Sequence, residues 1–243
     1  MTTLDEYYDK VFHSQDIPAL GPNEPHPRFF PYPTKFQEYL AETDGARPEP
    51  TEFQYIEPLR GDPTNTAFLA KDKSSDRNLV VKFVDRYGVE AHRLLADEKM
   101  APRLLYCGLL DGKDDVRIDG SPAEGSTKTG GLYVGPMRMI VMEYIERDAM
   151  ELWPDDAHKQ VEEAVKKLHD AGFVFGDLRA PNIIFSGGKA FLVDFDWAGK
   201  EGEARYPRNL SRSVTWPKEA EELEMKPILM DHDWFMFGRL FPE

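Results

Sequence analysis

The chain has 243 residues, 41% of them hydrophobic, enough to bury a core in one domain or in two small packed lobes. Thirty basic against 44 acidic residues give a formal charge of −14, which argues against a phosphate-tracking nucleic-acid surface and against attraction to an anionic membrane. The single Cys107 excludes an intrachain disulfide, residues 1–10 are too polar for a signal peptide, and no apolar run approaches the roughly 20 residues of a membrane span. An intracellular, cytoplasmic protein without nucleic-acid or membrane partners is expected.

Residues 1–52 hold many of the 19 prolines, among them Pro22, Pro25, Pro27, Pro31 and Pro33. Proline blocks helix interiors and sheet ladders, so an extended arm is expected, with one short helix over 34–41. The aromatics Phe29, Phe30, Tyr32, Phe36 and Tyr39 indicate that part of this arm packs on the domain. From Phe53 the pattern changes to strands over 53–59, 67–70 and 79–84, separated by Gly61-Asp62-Pro63 and by the polar stretch 71–78. Lys82 interrupts the apolar run of the third strand; taken alone, it reads as an edge lysine whose ammonium snorkels to water. Val89, His92, Leu95 and Ala96 then recur at near-helical spacing, predicting a helix over 89–100 that Pro102 closes. A strand over 103–110 follows. Residues 111–131 are charged and rich in Gly, Ser and Thr, which predicts a mobile insert, and 139–145 is an apolar strand running into a polar connector.

The clearest helix spans 155–171. Ala157, Val161, Ala164, Val165 and Leu168 make one apolar stripe, Asp155 and Asp156 suit the positive N-terminal end, and Gly172 suits a left-handed C-cap. His169 near its end reads as a structural polar residue. In 173–197, two apolar runs, 182–185 and 190–193, flank Ser186-Gly187-Gly188-Lys189, the pattern of a tight β-hairpin. Asp177 and Asn182 precede its first strand and Asp194 ends its second. The hairpin therefore gathers an acid, an amide and a second acid at one end.

Asp177, Asn182 five residues on, a hairpin, and then Asp194-Phe195 together resemble the catalytic and metal-binding loops of the eukaryotic protein-kinase-like superfamily. The resemblance implies an α+β, two-lobed fold. An antiparallel β N-lobe would span 53–147, carrying the insert 111–131, and a shortened, mainly helical C-lobe would span 148–243. By resemblance, Asp177 is the base for the acceptor hydroxyl, Arg179 stands in for the catalytic-loop lysine, and Asn182 and Asp194 hold Mg2+. Lys82 becomes the strand lysine on the α- and β-phosphates. Glu90 becomes its helix partner, with Glu98 two turns later as the alternative. Met142 would lie behind the adenine, with the backbones of Glu143 and Ile145 at its edge. Residues 214–219 match the family's Ala-Pro-Glu segment loosely, and 233–238 resemble the start of a central C-lobe helix whose Asp holds the catalytic-loop backbone. Later C-lobe helices are expected to be absent.

Three departures qualify the likeness. The family's His-Arg before the aspartate is Phe175-Gly176, closer to the His-Gly-Asp of aminoglycoside-phosphotransferase-like enzymes, and its Asp-Phe-Gly is Asp194-Phe195-Asp196. Of the Gly-x-Gly-x-x-Gly loop only Gly61 is kept, and Pro63 has no N–H to offer a phosphate. The expected function is ATP- and Mg2+-dependent transfer of the γ-phosphate to a hydroxyl acceptor, with a protein acceptor favoured by the motif at 233–238. The alternatives are a nucleotide-binding pseudokinase that serves as a scaffold, and a small-molecule kinase of the aminoglycoside-phosphotransferase type. The complete charged set favours an active enzyme over the scaffold.

Overall fold

The computed structural model describes residues 31, 33–38, 49–59, 66–108, 110, 137–149 and 153–242. Most of the arm, Gly61 with its loop, and the insert 111–131 lie outside the described residues. The chain divides into two compact units, 1–32 and 33–243. Only Pro31 of the first is described.

Among the described residues, six strands build one antiparallel sheet: β1 (Lys35–Phe36), β2 (Thr51–Pro58), β3 (Ala67–Asp72), β4 (Asn78–Val84), β5 (Leu104–Gly108) and β6 (Arg138–Glu143). Their spatial order is β1-β2-β3-β4-β6-β5. Side chains alternate faces along a strand, and β4 shows the division of labour. Its Leu79, Val81 and Phe83 are buried on one face, where Phe83 meets Phe68 and the aromatic contacts continue through Tyr55, Phe53 and Phe36 to Tyr106. The opposite face carries Val80, Lys82 and Val84, and there Val84 clusters with Leu104, Cys107, Ile140 and Met142. Lys82 stands between Ala67 and Ile140 in register, so it is an interior-strand lysine and not an edge one.

The short helix expected over 34–41 is not found in its described part. Lys35 and Phe36 pair with Glu52 and Thr51 as an edge strand. A long-range reward decides this: Phe36 becomes fully buried against Phe53 and Tyr106, and Glu38 accepts hydrogen bonds from Arg77 and Arg103. Thr51 and Glu52 accordingly belong to the sheet.

The described helices are α1 (Val89–Asp97), α2 (Ala157–Asp170), α3 (Ala220–Leu223) and α4 (Met230–Leu240), and most of the remaining residues form turns and extended connections between them. Two small ladders accompany them, β7 (Phe173–Val174) with β10 (Gly199–Lys200) and β8 (Ile183–Ser186) with β9 (Lys189–Leu192). The apolar stripe of α2 is buried residue for residue as its spacing predicts, in one cluster with Phe175, Leu178, Ile183 and Phe195. Gln160 of α2 donates to the Gly188 carbonyl at 2.9 Å and accepts from the Ala190 N–H at 2.8 Å, while the Asp148 carboxylate accepts from both Gly187 and Gly188 N–H. The hairpin is thus fixed from two sides. No described helix is long and apolar enough to cross a membrane.

Asp72 closes the turn between β3 and β4. Its buried carboxylate accepts from the N–H and hydroxyl of both Ser74 and Ser75 and lies 3.5 Å from Arg77. Burial alone would raise this carboxyl, but the serine hydrogen bonds outweigh it and hold the carboxyl down at about 2, below the ordinary 3.8. A depressed folded-state pKa gives stability that is present above the unfolded value and lost as pH falls through the folded one. Asp72→Ala is therefore expected to lose about 2 kcal/mol at pH 7, and its deficit against wild type should shrink between about pH 4 and pH 2. Urea unfolding of both chains at stepped pH checks this; a deficit independent of pH would refute it.

Candidate active site

The loop between β7 and β8 is held from below by α4. Asp233, buried in the first turn of that helix, accepts from the N–H of Phe175 at 2.7 Å and of Gly176 at 2.8 Å. Its Oδ2 also accepts from His169 Nε2 at 3.0 Å, which gives that histidine the structural role expected of it. Gly176 has φ +83°, and a Cβ there would come 2.8 Å from Ile228 Cδ1. Left-handed backbone and a crowded neighbour together require glycine, which accounts for the missing arginine before Asp177.

Asp177 lies above this platform, almost fully buried. Arg179 grips both of its carboxylate oxygens, through Nε to Oδ1 and through Nη2 to Oδ2 at 2.6 Å. Asn182, at the end of the 3₁₀ turn Ala180–Asn182, donates from Nδ2 to the Asp177 carbonyl at 2.9 Å and to Oδ2 at 2.8 Å. Burial pushes the Asp177 carboxyl above the usual carboxylate range; Arg179 pulls it down and the nearby Asp194 charge pushes it up again. The Arg179 guanidinium lies 5.7 Å from the Trp216 ring centroid, which ties the 205–216 segment to the same place.

Lys82 meets Asp194 from the opposite side. Its Nζ donates to Asp194 Oδ1 at 2.6 Å and to Asp196 Oδ1 at 2.6 Å. Burial would lower the Lys82 ammonium, but the two carboxylates more than compensate and hold it above its usual value. Asp194 has φ +73°, a conformation that aspartate tolerates better than most side chains and one that concentrates at functional sites.

The helix partner expected for Lys82 is replaced. Glu90 is exposed in the first turn of α1, and Glu98 pairs with Lys167 at 3.1 Å. What α1 turns toward the site is His92, stacked on Phe195 with ring centroids 4.5 Å apart and an interplanar angle of 8°. Its Nε2 donates to the Pro102 carbonyl at 2.7 Å and its Nδ1 accepts from the Tyr87 hydroxyl at 2.8 Å, a neutral tautomer consistent with burial lowering its pKa to about 4. The near-helical spacing put His92 on the apolar stripe, but only the fold shows what it covers. Asp196 was visible in the sequence as an acid where the family keeps glycine; its contact with Lys82 was not.

At the strand β6 exit, Met142 is buried beside Ile140 and Leu104, and Glu143, Tyr144 and Ile145 are half-buried. The Glu143 N–H donates to the Arg103 carbonyl at 3.0 Å, so a contact of Glu143 with an adenine edge would use its carbonyl. Gly61 lies outside the described residues.

The donor chemistry suits one class of cation. Among the described residues no group of three or more His, Cys, Asp or Glu side chains is arranged as a metal cage. Asn182 and Asp194 offer hard oxygen donors, and commitment of Nδ2 to Asp177 leaves the Asn182 amide oxygen as the atom for a cation. Mg2+ is commonly held by one or two such side chains, the remaining positions being taken by phosphate oxygens and water. The residues present fit it.

No protein-family model matches the chain. The KEOPS complex subunit Bud32 of Pyrococcus abyssi (strain GE5 / Orsay), an atypical protein-kinase-like protein, is 38% identical over 68 residues, which cover 25% of this chain and 31% of that protein. The match therefore spans about a third of that relative's length. The α+β architecture, with its antiparallel sheet and few helices, is compatible with a two-lobed kinase-like fold, and this match supports it.

The Asp233 platform makes a stability prediction. Asp233→Ala leaves two buried N–H groups without their acceptor and is expected to cost about 3 kcal/mol, and Gly176→Ala should cost about 1–3 kcal/mol through backbone conformation with the Ile228 contact added. Equilibrium unfolding measures both; a Gly176→Ala chain as stable as wild type would contradict the left-handed conformation.

Proposed function

We propose that this chain, a divergent member of the protein-kinase-like superfamily, is an ATP- and Mg2+-dependent phosphotransferase acting on a hydroxyl acceptor. At family level the likeness supports a kinase-like, ATP-using protein. The observation that carries the finer reading is the convergence of residues distant in sequence. Lys82 bonds Asp194 at 2.6 Å, and Asn182, fixed on Asp177 at 2.8 Å, stands at the same end of the hairpin.

Each group has a task that follows from its surroundings. Lys82 is a charged, mostly buried ammonium on a rigid strand, suited to the α- and β-phosphates. Asn182 and Asp194 would hold Mg2+, which when bound supplies charge compensation and alignment for the transferred phosphoryl group. Asp177, raised in pKa by burial, accepts the proton of the attacking hydroxyl more readily than a solvated carboxylate, and Arg179 keeps that carboxylate oriented. The hydroxyl oxygen bonds to the γ-phosphorus, the bond to the ADP oxygen breaks, and the proton stays on Asp177. Met142 would back the adenine, with the Glu143 carbonyl and the Ile145 N–H at its edge. A protein acceptor is favoured by the motif at 233–238, and an intracellular setting is one that supplies ATP.

A second reading, a nucleotide-binding scaffold without transfer, draws on the single Gly61 and on Pro63 in the phosphate-covering loop. Asp177→Asn should separate the two readings. If the roles above are right, it retains Mg·ATP binding and loses transfer, while Asp194→Asn weakens binding in Mg2+ but not in its absence. Equal transfer by wild type and Asp177→Asn to mixed protein and small-alcohol acceptors would sink the role of Asp177.

Regulation follows from Gly176, which has no side chain with which to grip a phosphorylated segment. Ser211 and Ser213 bond each other at 2.8 Å, and Arg212 pairs with Glu221. Activity is expected to be constitutive: replacing Ser211, Ser213 and Thr215 together by Ala should leave the rate within a few-fold. A loss of about a hundredfold on phosphatase treatment, roughly 2.7 kcal/mol of barrier, would show another coupling.

A further inference from the structure

We infer that Asp196 is the positioning residue of Lys82, supplying from the metal-binding turn the carboxylate that a helix glutamate supplies in the kinase resemblance. The inference rests on the phosphotransferase reading above and concerns how its lysine is aimed.

Three observations and one consequence of the reading above carry it. Lys82 Nζ sits 2.6 Å from an oxygen of Asp194 and 2.6 Å from one of Asp196, with only 13% of its side chain exposed. A mostly desolvated ammonium needs a fixed carboxylate to stay charged and aimed. Next, α1 offers none: Glu90 is exposed, Glu98 is engaged with Lys167, and His92 fills the surface against Phe195. Third, with Asp194 assigned to the metal, Asp196 is the carboxylate left to Lys82.

The last observation is that the backbone around Asp196 is held on both sides. The preceding Phe195 is buried between His92 at 4.5 Å and Phe175 at 5.2 Å, and its carbonyl accepts from the N–H of Gly88 at 2.9 Å and of Ala198 at 3.2 Å. Gly88 packs so closely that a Cβ there would lie 2.5 Å from the Ala198 carbonyl oxygen. The start of α1 and the 195–198 turn are therefore one rigid piece, and Asp196 projects from it toward Lys82. A glycine at position 196 would have no side chain to do this. Aiming the lysine then does not depend on swinging α1, so this site lacks the helix switch that a helix-borne carboxylate would create.

The test is a double-mutant cycle on the full chain, read by calorimetric titration with ADP in the presence of Mg2+ and again in EDTA. Asp196→Asn and Lys82→Met should each weaken ADP binding about tenfold or more in both conditions. The double variant should bind no more weakly than Lys82→Met alone, because one interaction is lost once. Glu90→Gln should stay within twofold of wild type. In transfer assays, Asp196→Asn should raise KM for ATP more than it lowers kcat. Should Asp196→Asn fail to fold, Asp196→Gly takes its place with the same expected loss. Wild-type affinity in a folded Asp196 variant, losses that multiply in the double variant, or a tenfold loss in Glu90→Gln would each overturn the inference while leaving the phosphotransferase reading intact. Absence of ADP binding by wild type would sink both.

Discussion

The Lys82 ammonium, held at 2.6 Å from two carboxylates, joins the sheet to the hairpin loop and sets the geometry on which the site depends. Its value lies in placement more than in stability. Taking three charges out of water costs several kcal/mol per ion, so a well-packed apolar set in the same volume would often be as stable. Removing one member is a different matter, since it strands a partly buried charge. An arrangement that adds little stability yet is costly to break specifies a position, and here it specifies where strand β4 meets Asp194.

Placement also needs a fixed counterpart, which Asp233 provides for Asp177. Two backbone N–H groups and His169 all converge on one buried carboxylate at 2.7–3.0 Å. Charge-assisted bonds of this kind are among the stronger ones a fold can make. The backbone just before Asp177 is thereby held, Asn182 holds the Asp177 carbonyl, and Arg179 with Asn182 hold its side chain. Neither grip involves the 205–216 segment except through Arg179 against Trp216, so the placement of Asp177 does not wait for that segment to order itself.

What could be read from the residues alone divides by the range of the interactions. The α2 stripe and the β8–β9 hairpin express local periodicity and turn chemistry, and both stand where their patterns predict. The Asp233 platform was legible because a short motif recurs with its task. Three features were not. Phe36 belongs to a strand because of Phe53 and Tyr106, residues far along the chain, and no local pattern at 34–41 carries that information. The partner of Lys82 depends on which way α1 faces, and eight residues of separation between Lys82 and Glu90 do not decide it. Asp196 is visible as an oddity, but its meaning needs the 195–198 turn, which is built by Gly88 and His92 from another element.

Charge brings the site and the whole chain together. The protein carries a formal −14, and among the described residues its site does not reverse that sign: Lys82 and Arg179 face Asp177, Asp194 and Asp196, and Arg86 is near enough to Asp196 to feel its charge, three cations against three carboxylates. Burial relieves part of the negative charge, since it raises both Asp177 and Asp196 toward protonation. A polyphosphate reaching these described residues would meet no surplus of positive side chains among them. Its charge has to be balanced by an ion that comes with it, and the oxygen donors of Asn182 and Asp194 are the groups suited to receive one. If residues 61–66 cover the phosphates as the resemblance implies, Pro63 sharpens the same requirement, because it has no N–H where the resembled family supplies several backbone donors. Under the phosphotransferase proposal, affinity for nucleotide would be built on Lys82 and a divalent cation, and the precision with which Lys82 is aimed would count for more than it would under a complete glycine-rich loop.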